Sequence, residues 1–169
     1  MTLSLSQDWF EFLASLTDCG VRFLLVGAHA LAAHAEPRVT KDLDVLVEPT
    51  RANGVRLRAA LDRFGLGAIA PSAEELARPG PFWIYGRPPV QIDVLTQLKG
   101  VSWARAWKGR VAVPLDSTRT LWVLGRSELI AAKRAAGRPR DLADIASLVA
   151  FAADEKARVS PNKPRSKRR

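Results

Sequence analysis

Residues 21–47, VRFLLVGAHALAAHAEPRVTKDLDVLV, decide the fold. Val21 to Val26 is a short apolar run that stops at Gly27, which predicts a buried strand. Ala28 to Ala35 is rich in alanine, the best helix former, and Pro37 closes it, because the residue before a proline is driven out of the helical region. Asp42 to Val47 is a second apolar strand, ended by Glu48-Pro49. A strand, a helix and a strand within 27 residues predict a sheet carrying helices, not a helical bundle or a sandwich.

The pattern extends both ways. Ser6 to Asp18 reads as an amphipathic helix, with Trp9, Phe10, Leu13 and Leu16 at helical spacing and Gly20 as its stop. Thr50 can cap a helix through Phe64, which Gly65 and Gly67 end. Pro71 to Pro81 holds at most a turn of helix. Phe82 to Tyr85 and Val90 to Thr96 read as strands around Gly86-Arg87-Pro88-Pro89. Val101 to Trp107 reads as helical, and Val111 to Val113 and Leu121 to Leu124 as short strands. Ser127 is the expected cap of a helix to Ala136. Pro139 opens a last helix to about Glu155. The expected fold class is α/β (α+β), a mixed sheet flanked by helices over residues 1–155, with a basic, disordered tail over 156–169.

Two placements of acids stand out. Asp42 and Asp44 bracket Leu43 at the mouth of an apolar strand, and residues two apart on a strand project to one face. Asp93 lies alone inside Val90-Gln91-Ile92-Asp93-Val94-Leu95, where an ionised carboxylate is unfavourable unless paired or bound to metal. Asp-x-Asp alone also fits a solvated strand start, and Asp93 alone also fits an arginine pair. If the two strands are neighbours, three carboxylates make an oxygen site suited to Mg²⁺ or Mn²⁺. Gly27, between a strand and a helix, is where backbone N–H groups can receive a phosphate.

Gly27-Ala28-His29-Ala30-Leu31, followed by Arg38-Val39-Thr40-Lys41-Asp42-Leu43-Asp44, resembles the nucleotidyltransferase superfamily with the DNA polymerase beta-like fold. The resemblance is closest to the small bacterial branch related to AbiEii-type toxins. Lys133-Arg134 and Arg138-Pro139-Arg140-Asp141-Leu142-Ala143-Asp144 resemble that branch's later lysine and Asp-x-x-Asp motifs. The resemblance implies transfer of a nucleoside monophosphate from an NTP to an acceptor (RNA, protein or small molecule), with release of pyrophosphate. It implies Asp42, Asp44 and Asp93 as catalytic residues and ligands of Mg²⁺ or Mn²⁺. Gly27, Ala28, Arg38, Thr40 and Lys133 would bind the nucleotide, with Arg140, Asp141 and Asp144 in support. Phosphoryl-group transfer asks for positioning and charge neutralisation more than for a covalent nucleophile, which agrees with such residues. Two departures are plain: Ala28 offers no hydroxyl where members carry Ser or Gly, and His29, read as structural, stands where others often carry Thr. Trp83 and Tyr85 are further candidates for the border of an acceptor cleft.

The chain has 26 Lys plus Arg against 17 Asp plus Glu, a net charge of +9, which points to an anionic partner. Lys156, Arg158, Lys163, Arg165, Lys167, Arg168 and Arg169 supply seven of these charges. Without them the body carries 19 basic and 17 acidic residues and is only +2. The terminal segment fits a solubilising end or a non-specific arm for nucleic acid. One cysteine and two histidines exclude an internal disulfide and a zinc finger. No apolar run reaches membrane-spanning length, and Asp8 and Glu11 interrupt any signal-peptide core, so a cytoplasmic location and no membrane contact are expected. Two other functions stay open: a catalytically idle member of the fold serving as a toxin–antitoxin or regulatory partner, and a nucleic-acid-binding protein driven by its tail.

Overall fold

The computed structural model describes residues 5–159. It is an α/β structure: a six-stranded mixed sheet flanked by helices. The order along the chain is α1 (Gln7–Asp18), β1 (Phe23–Leu25), α2 (Gly27–Ala32), β2 (Asp42–Val47), α3 (Arg51–Phe64), α4 (Ala73–Leu76), β3 (Phe82–Tyr85), β4 (Gln91–Leu95), α5 (Trp103–Lys108), β5 (Val111–Pro114), β6 (Thr120–Val123), α6 (Arg126–Ala136) and α7 (Pro139–Val159). The strands lie in the order β3-β4-β2-β1-β6-β5. β2 runs antiparallel to β1 and parallel to β4, and β1 runs parallel to β6. The outer pairs β3–β4 and β5–β6 are antiparallel.

Local chemistry sets the helix limits. Ser6 accepts the Trp9 amide to open α1, and its apolar stripe buries Trp9, Phe12, Leu13 and Leu16. Thr50 caps α3 through the Asn53 amide, and Gly65, at φ 95°, ends it in the left-handed conformation that glycine adopts without steric cost. Leu57 and Leu61 on α3 join Leu43, Val45 and Val47 of β2 and Ile92 and Val94 of β4 in one core. Each fully buried leucine of this set contributes about 2 kcal/mol.

The observed ends differ from the expected ones for specific reasons. α6 begins after Gly125, not after a Ser127 cap; the Ser127 hydroxyl donates to Glu128 instead. α5 starts at Trp103, because Ser102 accepts the Arg105 amide as its N-cap. β1 is only three residues long: the Val21 amide is tied to Leu16 O and the Arg22 amide to Asn53 Oδ1, outside the ladder. α7 runs on to Val159, so Lys156 and Arg158 belong to a helix and not to a tail beginning at residue 156. Residues 160–169 of that expected tail lie outside the described residues. Among the described residues no helix is long and apolar enough to cross a membrane.

Candidate active site

The parallel pairing of β2 with β4 places Asp44 in register with Asp93, and Asp42 with Gln91. Neighbouring strands are about 4.8 Å apart, and in-register side chains share a face. The three acids therefore crowd one patch, opposite the face that sends Leu43, Val45, Ile92 and Val94 to the core. Asp93 is half-buried, as Asp42 and Asp44 are, and does not lie in the apolar interior. Across β3, Ile84 stands opposite Asp93 and Phe82 opposite Leu95.

Gly27 closes the patch from above. Its φ is +60°, and a Cβ there would lie 1.9 Å from Asp44 Oδ2. Only glycine lets the chain turn from β1 into α2 while the carboxylate packs beneath it. The Val26 amide donates to Asp44 O at 3.0 Å, which fixes the distance between the turn and β2. The first bond within α2 runs from the Ala30 amide to Val26 O. The amides of Gly27, Ala28 and His29 thus have no acceptor within the helix. His29 is buried edge-on against Trp9, with ring centroids 5.0 Å apart. Burial lowers its pKa, against the pull of the nearby Asp42 charge.

Electrostatically the patch is unbalanced. Burial pushes the Asp44 pKa up to about 6, and the charges of Asp42 and Asp93 add to the rise; Arg138 and Lys133 oppose it from a distance. Among the described residues none of the three acids is ion-paired. Thr40 Oγ1 donates to Asp42 Oδ1 at 2.5 Å, and Gln91 Nε2 donates to Asp93 Oδ1 at 2.8 Å. In these rotamers no three acid, His or Cys side chains among the described residues close on one ion. The donor set nevertheless suits a hard divalent cation: three clustered carboxylates with no ion-paired base, each with an oxygen outside the hydrogen bonds just named.

The other candidates form a separate, ionic cluster. Lys133 Nζ donates to Asp144 Oδ2 at 2.6 Å and lies 3.5 Å from Asp141 Oδ1. Arg38 forks onto both Asp144 oxygens at 3.2 and 3.3 Å. Arg138 Nε donates to Asp141 Oδ2 at 2.8 Å, and the same oxygen accepts the Arg138 amide just ahead of α7. Asp141 and Asp144 are 2% and 4% exposed. Burial works to raise the Asp144 pKa, but hydrogen bonds from Lys133 and Arg38 outweigh it and hold the carboxyl below its usual range. Asp141 is likewise held low by Arg138 against its burial. Arg140 is exposed and forms no ion pair among the described residues. A cavity of about 100 Å³ lies between this cluster and the turn, lined by Val26, Gly27, Lys99, Lys133, Arg138 and Asp141.

The residues facing the acids from β3 are Phe82 and Ile84, 60% and 54% exposed. Trp83 and Tyr85, in register with Val94 and Ile92, point to the other face. Strand parity carried this signal: if Ile92 and Val94 are core, Asp93 and its cross-strand partner face away from it. That partner is set by the β3–β4 turn, whose register is not written in local composition. No protein-family model and no curated protein matches this chain.

Proposed function

We propose that the protein is a divalent-metal-dependent nucleotidyltransferase of the DNA polymerase beta-like type, moving the nucleoside monophosphate of an NTP to an acceptor and releasing pyrophosphate. The observation that carries this reading is the juxtaposition of Asp42, Asp44 and Asp93 on adjacent parallel strands, under a glycine turn that opens a helix. Asp42 and Asp44 would hold Mg²⁺ or Mn²⁺, with Asp93 as third ligand or as base. The bound ion supplies charge neutralisation for the triphosphate. The turn at Gly27 and Ala28 would lie along the phosphates, its amides donating. Asp93 would orient the acceptor nucleophile and take its proton as the acceptor–phosphorus bond forms and the bond to pyrophosphate breaks. Arg138, 74% exposed at the side chain and close enough to act on the Asp44 charge, would balance anionic charge at the rim.

Incubation with each labelled NTP, Mg²⁺ and separate pools of RNA, protein and small acceptors tests the proposal. Transfer of label by the wild type, lost in Asp44→Asn, is expected. Failure of every NTP to transfer, together with NTP binding unaltered by Asp44→Asn, overturns it.

A second reading, a catalytically idle member of the fold acting as a toxin–antitoxin or regulatory partner, has its own support. Arg38 and Lys133, the cations nearest a triphosphate by motif, are both committed to Asp144, and Ala28 brings no hydroxyl. Under that reading the wild type neither transfers label nor binds NTP.

A further inference from the structure

Arg38, Asp144, Lys133, Asp141 and Arg138 form one continuous ionic chain. One end touches the segment that enters β2, and the other lies close to Asp44. Segment 37–41 connects α2 to β2 as irregular backbone. Outside the helices and the strand ladders, it makes no backbone hydrogen bond among the described residues. Val39 is 92% exposed, so no apolar contact anchors the segment there. Ahead of the β2 ladder, two side chains hold it, Arg38 on Asp144 and Thr40 on Asp42.

We propose that Asp144 is a positioning residue: by gripping Arg38 with both oxygens it fixes segment 37–41, which delivers Thr40 to Asp42. A planar guanidinium on a carboxylate constrains orientation as well as distance, which a lysine does not. Lys133 sets the other side of the grip, since its 2.6 Å bond to Oδ2 holds the carboxylate from α6. The arrangement is more than a staple between α6 and α7. Lys133 has Asp141 as a second partner, so those helices stay ion-paired without Asp144, whereas Arg38 has no other acidic partner among the described residues. Buried ion pairs contribute little net stability, and orientation is what this one supplies. The consequence for catalysis rests on the nucleotidyltransferase reading; the positioning itself does not.

The test uses the full chain, with amide order parameters from ¹⁵N relaxation at residues 38–41 and calorimetric titration with Mn²⁺. Wild-type values near about 0.85 are expected, falling below about 0.6 in Asp144→Asn, with Mn²⁺ affinity reduced about tenfold. Two further variants separate positioning from folding. Arg38→Met removes the fork alone, and Lys133→Met/Asp144→Asn removes the fork together with the Lys133 charge, leaving Asp141 paired with Arg138. Both are expected to keep a near wild-type melting temperature and to show the same loss of order. Order parameters that stay at wild-type values in Arg38→Met, or that recover in the double variant, overturn the proposal. If the wild type binds no Mn²⁺, the metal reading falls, and the order parameters still decide the role of Asp144.

Discussion

Asp44 is raised to about 6 first by burial and then by its acidic neighbours, and this has a cost that can be measured. An unfolded aspartate titrates near 3.9. Between that value and about 6 the folded chain holds a proton that the unfolded chain has lost, so stability falls as pH rises through this window. The full penalty, about 3 kcal/mol, stands above pH 6. Asp44→Asn is therefore expected to raise the melting temperature by about 6–12 °C at pH 8 in chelator. The gain shrinks to nothing below pH 4, which scanning calorimetry across pH reads directly. Millimolar Mg²⁺ should stabilise the wild type at pH 8 and not Asp44→Asn, and its effect should fade by pH 5, where binding must displace the Asp44 proton. Gly27→Ala tests the same contact from above. A left-handed φ and a Cβ 1.9 Å from Asp44 Oδ2 predict a loss of about 2–4 kcal/mol in urea denaturation. The glycine and the acids were legible as types in the sequence. Their contact was not, because 16 residues of intervening chain hide it.

At the scale of elements, the register of β2 against β4 makes the site, and α3 braces it. Asn53 on α3 is 1% exposed. It accepts the Arg22 amide at 2.7 Å and donates to Arg22 O and Glu48 O at 3.0 Å, tying the helix to the ends of β1 and β2. Asn53→Ala leaves a buried amide and two carbonyls without that partner, and a loss of about 2–4 kcal/mol is expected by chemical denaturation. Thr50→Ala, which removes only the cap of the same helix, should cost about 1 kcal/mol. The Thr50 cap follows from sequence, since a hydroxyl ahead of an apolar-periodic run has one common use. The Asn53 bridge does not, because an asparagine in a helix carries no mark of what it meets across 31 residues. The same limit explains Lys133 and Arg38. Their motif drew them toward a phosphate, while folding sets them on Asp144 and Asp141.

For the whole molecule, the excess charge and the acidic patch are separate features. Residues 160–169 carry Lys163, Arg165, Lys167, Arg168 and Arg169. Removing them should leave the melting temperature unchanged and weaken binding to a mixed-sequence oligonucleotide, with a reduced dependence on salt in a fluorescence titration. Equal affinity of the shortened chain would show that the terminal charges do not act as an arm. By itself the sequence determined the kinds and order of the elements, because apolar periodicity, caps and breakers act within a few residues of one another. It also marked Asp42 and Asp44 as a pair, since strand geometry alone puts them on one face. Only the tertiary structure decided that Asp93 stands beside Asp44, that Phe82 and Ile84 border the acids, and that Arg38 reaches an acid 106 residues away. These are matters of register and packing between distant segments, and a one-residue slip of either strand would turn each side chain to the other face.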